Sequence, residues 1–443
     1  MAESVLDMVE AGAIELAVLI ALFSGVWPYT KQFVIMFLWF ASPRITSVSR
    51  REQLLLWLDA LGKWSFVDIF ILLMSVPSFR VTINSPNDVS FLPQEFYSLQ
   101  ILLIPCWGLY SNMIAQLVSQ FNSHLIIHYH RKIVFDFEER ERIREGIESQ
   151  ADEPRSLCTH MFNREGAKKG WLLVLRKRVS EAIIVLAVVF VALVFAGSLV
   201  PSFSLEQFGL VGLAVEASPD QSTYTPHNVV STILLLMDQA RLTGSITDYV
   251  GLATLSAIFV ITVIIVPIVQ LGLLLRRWFG KLDKKARIRN FVAIEALQAW
   301  QYIEVYVFSI LIACWQLGRV SEFLINDYCG SFDSIFNSLA YYGILKPEDS
   351  QCFKVIASVE NGTWLLVAAA VTLLALNNFI ASAAKHQDAD INSSNDDVSV
   401  SPGYPDDKLL NEVKLQTRAP SFSDYYRWVL QQPGVPRTDS ELQ

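Results

Sequence analysis

Long uncharged stretches alternate along the chain with short charged ones. A helix needs roughly 20 apolar residues to cross a bilayer. Five stretches meet that length: Leu16–Pro43 (interrupted only by Lys31), Phe96–Ser123, Ala182–Leu205, Tyr249–Leu275 and Gly362–Ala384. Two more, Trp64–Val81 and Trp300–Leu324, each carry one acid near the start, Asp68 and Glu304. The pattern predicts an all-α, polytopic transmembrane helical bundle of about seven spans.

The connecting segments supply an orientation. Segments 41–63, 122–181 and 276–299 hold 4, 12 and 7 lysines and arginines, whereas 82–98, 204–249 and 326–361 hold 0, 1 and 2. Cytoplasmic loops collect basic residues. The N-terminus is therefore expected outside or in a lumen, and the tail after Ala384 in the cytoplasm. Glu3, Asp7, Glu10 and Glu15 stand where a signal peptide would carry basic residues.

Composition narrows the function classes. Of 443 residues, 52% are hydrophobic and only 18% charged, against about 25% charged in a soluble domain. An ordinary soluble enzyme is excluded. The net charge of −8 gives no global basic field for nucleic acid. Eleven tryptophans suit a chain with many membrane–water interfaces. No H-E-x-x-H, G-x-S-x-G, Walker A or G-x-G-x-x-G motif occurs. No cofactor and no enzymatic activity are expected, and any transport would be passive, ion-driven or powered by a partner.

The chain also repeats itself. Trp64-Ser65-Phe66-Val67-Asp68-Ile69-Phe70 matches Trp300-Gln301-Tyr302-Ile303-Glu304-Val305-Tyr306 by class, at an offset of 236. Pro28 and Lys31 match Pro267 and Gln270 at 239, and Asn112 matches Asn378 at 266. Each copy reads as a proline-bearing span going in, a basic linker, an acid-bearing span going out, and a span returning with an asparagine. Seven spans divide into three plus four, in two tandem parallel repeats related by an axis along the membrane normal. The expected organisation is a first repeat at 1–121, a charged cytoplasmic linker at 122–181, a second repeat at 182–384, and a disordered tail at 385–443.

The doubled Trp-(Ser/Gln)-aromatic-(Val/Ile)-(Asp/Glu)-(Ile/Val)-(Phe/Tyr) motif, with its proline-bearing span and basic linker, resembles the paraquat-inducible protein A family. The resemblance covers roughly residues 14–120 and 180–384. It implies an inner-membrane component that works with mammalian-cell-entry-domain proteins to move lipids between bacterial membranes. Three features depart from the family's pattern. The chain has no Cys-x-x-Cys zinc ribbon, its first copy lacks a leading span, and the 122–181 loop and the tail read as additions.

Candidate site residues follow from membrane depth. A charge in the bilayer costs about 2.5–3.5 kcal/mol on insertion scales, so Asp68 and Glu304 need partners. Lys31 is expected to pair with Asp68, and Gln270 with Glu304. Such pairs would form a proton-responsive site or a lipid-headgroup contact, or simply clamp two helices together. Pro28 and Pro267 should kink their helices, as hinges or as static bends. Asn112 and Asn378 are expected to hydrogen-bond between helices.

Arg50, Arg51, Lys284, Lys285, Arg287, Lys168 and Lys169 are expected to face lipid headgroups. Cys329 and Cys352 share an outward loop and can form a disulfide if that side is oxidising. His124 and His128 share a helical face and are weak metal candidates, with no adjacent Cys or acid at matching spacing; no metal is expected. The expected partners are membrane lipids and a membrane or extracytoplasmic protein. Two functions remain open at this point: a lipid-handling transport component, and a scaffold or sensor acting through the cytoplasmic loop and tail. An intramembrane enzyme would have only Asp68, Glu304 and the histidines to build on.

Overall fold

The computed structural model describes all residues except 1, 11, 43–44, 85–97, 104–106, 145–153, 155, 159–169, 217–221, 330–337, 339–340, 343–352 and 397–443. Most of the described chain is helical. Six helical stretches are long and apolar enough to cross a membrane: Ile14–Phe40, Val48–Ser78, Arg178–Leu199, Ile246–Phe279, Lys284–Glu322 and Asn361–Ala384.

The first stretch joins α2 (Ile14–Ile20) and α3 (Trp27–Phe40) through a π-helical turn, Ala21–Val26; a short α1 (Ala2–Glu10) precedes it. The second joins α4 (Val48–Gly62) and α5 (Val67–Ser78) through a 3₁₀ turn, Lys63–Phe66. Strands β1 (Val81–Asn84) and β2 (Ser98–Ile101) pair antiparallel before α6 (Trp107–Arg144). Then come α7 (Gly170–Leu199), β3 (Phe203–Phe208), α8 (Gly209–Glu216), β4 (Tyr224–His227) and α9 (Val229–Leu242). Helices α10 (Ile246–Val260) and α11 (Val266–Phe279) flank a second π-helical turn, Ile261–Ile265. The chain continues through α12 (Lys284–Trp300), α13 (Ile303–Cys329), β5 (Lys354–Val359) and α14 (Asn361–Asp396).

The expectation of an all-α fold needs correcting. Strands β4, β3 and β5 form an antiparallel sheet in that order, with Phe203 opposite both His227 and Val359. These strands lie in or beside the segments poor in basic residues. Hydropathy alone misassigns them, because a short buried strand is as apolar as a helix. Leu205, taken as the end of a span, is a buried residue of β3; the helix stops at Leu199, two residues before Pro201. Val81 likewise belongs to β1.

Phe96–Ser123 is not one helix either: Ser98–Ile101 form β2, and α6 runs from Trp107. Helix α6 carries too many polar residues to count among the six apolar stretches. Beyond Ala384, helix α14 continues to Asp396, inside what the sequence assigned to the tail.

The centre of the bundle is aromatic. Phe66 lies 4.9 Å from Tyr302, and Phe70 lies 6.2 Å from Tyr306, ring centre to ring centre. Phe259 meets Phe70 at 5.6 Å and Tyr306 at 4.9 Å. All five rings are buried. Each such contact is worth about 0.5–1.5 kcal/mol beyond area burial, and packing rather than hydrophobicity holds helices together in lipid.

Candidate functional site

Four polar residues of α6, Asn112, Gln116, Gln120 and His124, follow one another at four-residue steps. Residues so spaced share one helix face. Here that face turns inward, toward α3, α4 and α5. Asn112 Nδ2 donates to Asp68 Oδ2 at 2.9 Å, and Ile69 N–H donates to Asp68 Oδ1 at 2.8 Å. Gln120 Oε1 accepts from Lys31 Nζ at 2.8 Å, while its Nε2 donates to Asp59 Oδ1 at 3.0 Å and to the Asp59 carbonyl at 3.2 Å. One glutamine thus bridges a buried ammonium and a buried carboxylate.

Gly62 makes room for this bridge. A Cβ there would sit 2.3 Å from Lys31 Nζ and 2.2 Å from Gln120 Oε1. The Asp59 carboxylate also meets His124, whose Nδ1 lies 3.2 Å from Asp59 Oδ2. His124 Nε2 accepts from Trp300 Nε1 at 2.7 Å. A neutral imidazole has one donor and one acceptor, and these two partners use both. His124, just past the apolar part of α6, is held neutral, its pKa lowered to about 4 by burial and by the Lys31 charge.

Trp300 and its surroundings tie the second half of the chain to this seam. Arg131 Nε donates to Glu52 at 2.8 Å, and its Nη2 to Glu295 at 2.6 Å. One guanidinium therefore joins α4, α6 and α12. Glu304 pairs with Lys63 Nζ at 2.6 Å, again across the two halves.

The prolines act through the turns before them. Proline has no N–H, so a carbonyl four or five residues upstream loses its helical donor. In the second π-helical turn the carbonyl of Thr262 accepts from the Tyr302 N–H at 3.2 Å. That bond also caps the break at Gln301–Tyr302, where α12 gives way to α13. Around Pro28, no backbone N–H from another element reaches the Phe23 or Ser24 carbonyl among the described residues.

Residues 1–91 and 225–332 match the family model for paraquat-inducible protein A. Through these two segments, which make up under half of its length, the chain is similar to paraquat-inducible protein A. No curated protein and no solved structure matches it significantly. The two matched segments contain the Trp64 and Trp300 motifs, both prolines and both acids of this paraquat-inducible protein A relative.

Several expected contacts are redrawn. Lys31 meets Gln120 and faces Asp59, not Asp68. Glu304 takes Lys63, not Gln270, and the buried Gln270 Oε1 has no hydrogen-bond partner among the described residues. The sequence pairing assumed that each acid would find the polar residue of its own half of the chain. The 3₁₀ turn instead places Lys63 against Glu304 of the other half. Asn378 is exposed; its neighbour Asn377 turns inward and donates to Gln298 at 3.3 Å.

Arg50, Lys284 and Lys285 are exposed, but Arg287 is buried and cannot face headgroups. Arg51 is half-buried and donates to the Ala41 carbonyl at 2.5 Å. His124 has both ring nitrogens engaged and His128 is exposed, so the pair does not form a metal site. Lys168, Lys169 and Cys352 lie outside the described residues, as does the side chain of Cys329.

Asp59, Gln120, Arg131 and Glu295 were missed. The four-residue stepping on α6 was a legible signal, and Asp59 and Glu295 share the 236 offset of the Trp motif. A groove of about 570 Å³ lies on the first half, lined by Tyr29, Gln32, Phe33, Met36, Trp39 and Asn122.

Proposed function

We propose that this paraquat-inducible protein A relative is a lipid-handling membrane component without an ATPase of its own. Two like-oriented modules, of three and four spans, would enclose a polar seam, with the N-terminus outside and the C-terminus in the cytoplasm. The observation that carries the reading is the seam itself: Lys31, Gln120, Asp59, His124 and Trp300 form an unbroken polar chain inside an otherwise apolar bundle. Buried ionisable groups in a membrane are costly, and where they occur they mark substrate or ion pathways.

The two-fold arrangement has its own support. At a two-fold axis a residue meets its own symmetry mate. Phe66 meets Tyr302 and Phe70 meets Tyr306, and each pair is separated by 236 positions. The exposed groove beside α6, with Tyr29 and Phe33 on its wall, suits an acyl chain entering from the bilayer. Membrane lipid is the proposed ligand, and an extracytoplasmic protein the proposed partner, by analogy with the family.

The experiment is deletion of the gene, followed by lipid analysis of the separated membranes. We expect a redistribution that the wild-type chain reverses and an Asp59→Asn chain does not. An unchanged distribution overturns the reading.

One observation favours a second reading, a scaffold or sensor acting through the cytoplasmic loop. Leu157 of that loop is buried in the core, and Cys158 Sγ lies 3.4 Å from Ser180 Oγ on α7. Full activity without residues 122–181 would reject it.

A further inference from the structure

Helix α6 runs on past the end of the apolar stretches. Trp39 lines the groove with Ile126, and α3 stops at Phe40. Arg131, tied to Glu52 and Glu295, marks where α4 and α12 hold α6. Beyond it, Ile133, Phe137 and Ile143 are 45, 61 and 71% exposed. At 1.5 Å per residue they stand about 10, 16 and 25 Å further out than Ile126. Lipid headgroups extend only about 5–8 Å beyond the hydrocarbon, so the bilayer ends short of Phe137. Tyr129, Ile133 and Phe137, at four-residue steps, share one helix face. On that side the exposed Lys132 and Arg140 outnumber Asp136. An apolar face held out in water marks an interaction surface.

The chain carries an occupant of its own. Asn377 on α14 meets Gln298, two residues before Trp300, which meets His124 on α6. Both helices arrive from the strand end of the bundle and run on past this level. From here α14 extends about 29 Å to Asp396, and α6 as far to Ile143. The chain then continues through residues 397–443, outside the described ones. Their densest apolar run is Tyr425-Tyr426-Arg427-Trp428-Val429-Leu430, headed by Asp424. A coil the length of residues 397–424 spans about 30 Å. Such a tether holds the run near α6 at an effective concentration of about 1 mM. We propose that residues 425–430 dock on the Tyr129, Ile133 and Phe137 face of α6 in the same chain. Their rings and aliphatic groups cover that face, and Asp424 meets the Lys132 and Arg140 charges. The tail then clasps the ends of α6 and α14 together, whether or not the protein handles lipid.

The test is limited trypsin digestion of the full chain in nanodiscs, with each cut followed by mass spectrometry. Arg427 lies inside the docked run, and Arg418 and Arg437 flank it. Cleavage follows the undocked fraction, so Ile133→Ser with Phe137→Ser should speed the Arg427 cut about tenfold. The Arg418 and Arg437 cuts should keep their rates, as should the melting temperature, since both substituted residues are exposed. Leu430→Ser in the tail should match the double variant. A photoreactive benzoylphenylalanine at position 137, in liposomes holding two differently tagged chains, should label residues 425–430 of its own chain. Four results overturn the proposal: an Arg427 cut indifferent to the α6 substitutions; equal acceleration at all three sites; labelling that joins differently tagged chains, which assigns the face to a second copy; or labelling of phospholipid in place of the tail.

Discussion

Position 31 in the first half of the bundle and position 270 in the second are equally buried, each about 1% exposed, yet their surroundings are opposites. Lys31 sits over Gly62, bridged to Asp59 by Gln120. At the 236 offset from Gly62 stands Gln298, whose side-chain oxygen accepts from Asn377. The first half keeps a charged, hydrogen-bonded cluster and a glycine that makes room for it. The second half has a neutral glutamine at 270 and no glycine at the matching position. The first half thus carries the polar cluster, and the second supplies Trp300, Glu295 and Glu304 as partners for its side chains.

If that contrast is real, the two positions should respond unequally to the same substitution. Lys31→Met leaves Asp59 buried without its cation and should cost about 3–5 kcal/mol. Asp59→Asn in the same chain should return most of the loss. Gln270→Met removes an amide whose oxygen is already unpartnered, so its effect should stay within about 1 kcal/mol. Melting curves in detergent micelles measure both. Equal losses at the two positions would erase the distinction between the halves.

Gly62→Ala comes next in size. Its methyl group must displace the Lys31 or Gln120 tip, an overpacking cost of about 1–3 kcal/mol. Because those tips are what it strikes, the penalty should shrink in the Lys31→Met background, a non-additivity expected of touching residues. Gln298→Ala, at the second-half position, should lose only one hydrogen bond, about 1 kcal/mol. A Gly62→Ala penalty that is unchanged by Lys31→Met would mean the strain lies elsewhere.

These contrasts show what the sequence could tell and what it could not. Long apolar helices and the doubled motif were legible because hydropathy and offset are one-dimensional signals. The strands were not, since Phe203 and Leu205 read as the end of an apolar run. The pairing of Lys63 with Glu304 was hidden for a different reason. It depends on how the 3₁₀ turn at Lys63–Phe66 rotates a side chain toward the opposite copy, and periodicity carries no such information. The stepping of Asn112, Gln116, Gln120 and His124 was visible. It weakened the apparent span instead of announcing a polar face, because a hydropathy window averages over all sides of a helix.

The pH response is a smaller effect. His124 has an ordinary pKa of 6.5 when unfolded and about 4 when buried against Asp59 and Trp300. Above pH 6.5 both states are neutral there. Between 6.5 and 4 the unfolded chain binds a proton that the folded chain does not, so stability must fall as the pH drops through that window. His227, stacked on Phe203 in the β3–β4 sheet and lowered to about 4 by burial, adds a slope of the same sign. His124→Gln should therefore flatten the decline without abolishing it. A decline of unaltered steepness would show that His124 does not stay neutral in the fold.

The finest test separates the two motif tryptophans. Trp300 donates its indole N–H to His124 at 2.7 Å, whereas Trp64 packs edge-on against Phe308 at 5.3 Å. Phenylalanine keeps most of the ring area and deletes the N–H. Trp300→Phe should cost about 1 kcal/mol, and it should also free the His124 acceptor nitrogen, so that the imidazole titrates closer to its ordinary range. Trp64→Phe should do neither. The decisive readout is the His124 ring titration followed by NMR in micelles. An upward shift in Trp300→Phe alone assigns the histidine's neutrality to its indole partner, while matching shifts in both variants would assign it to burial.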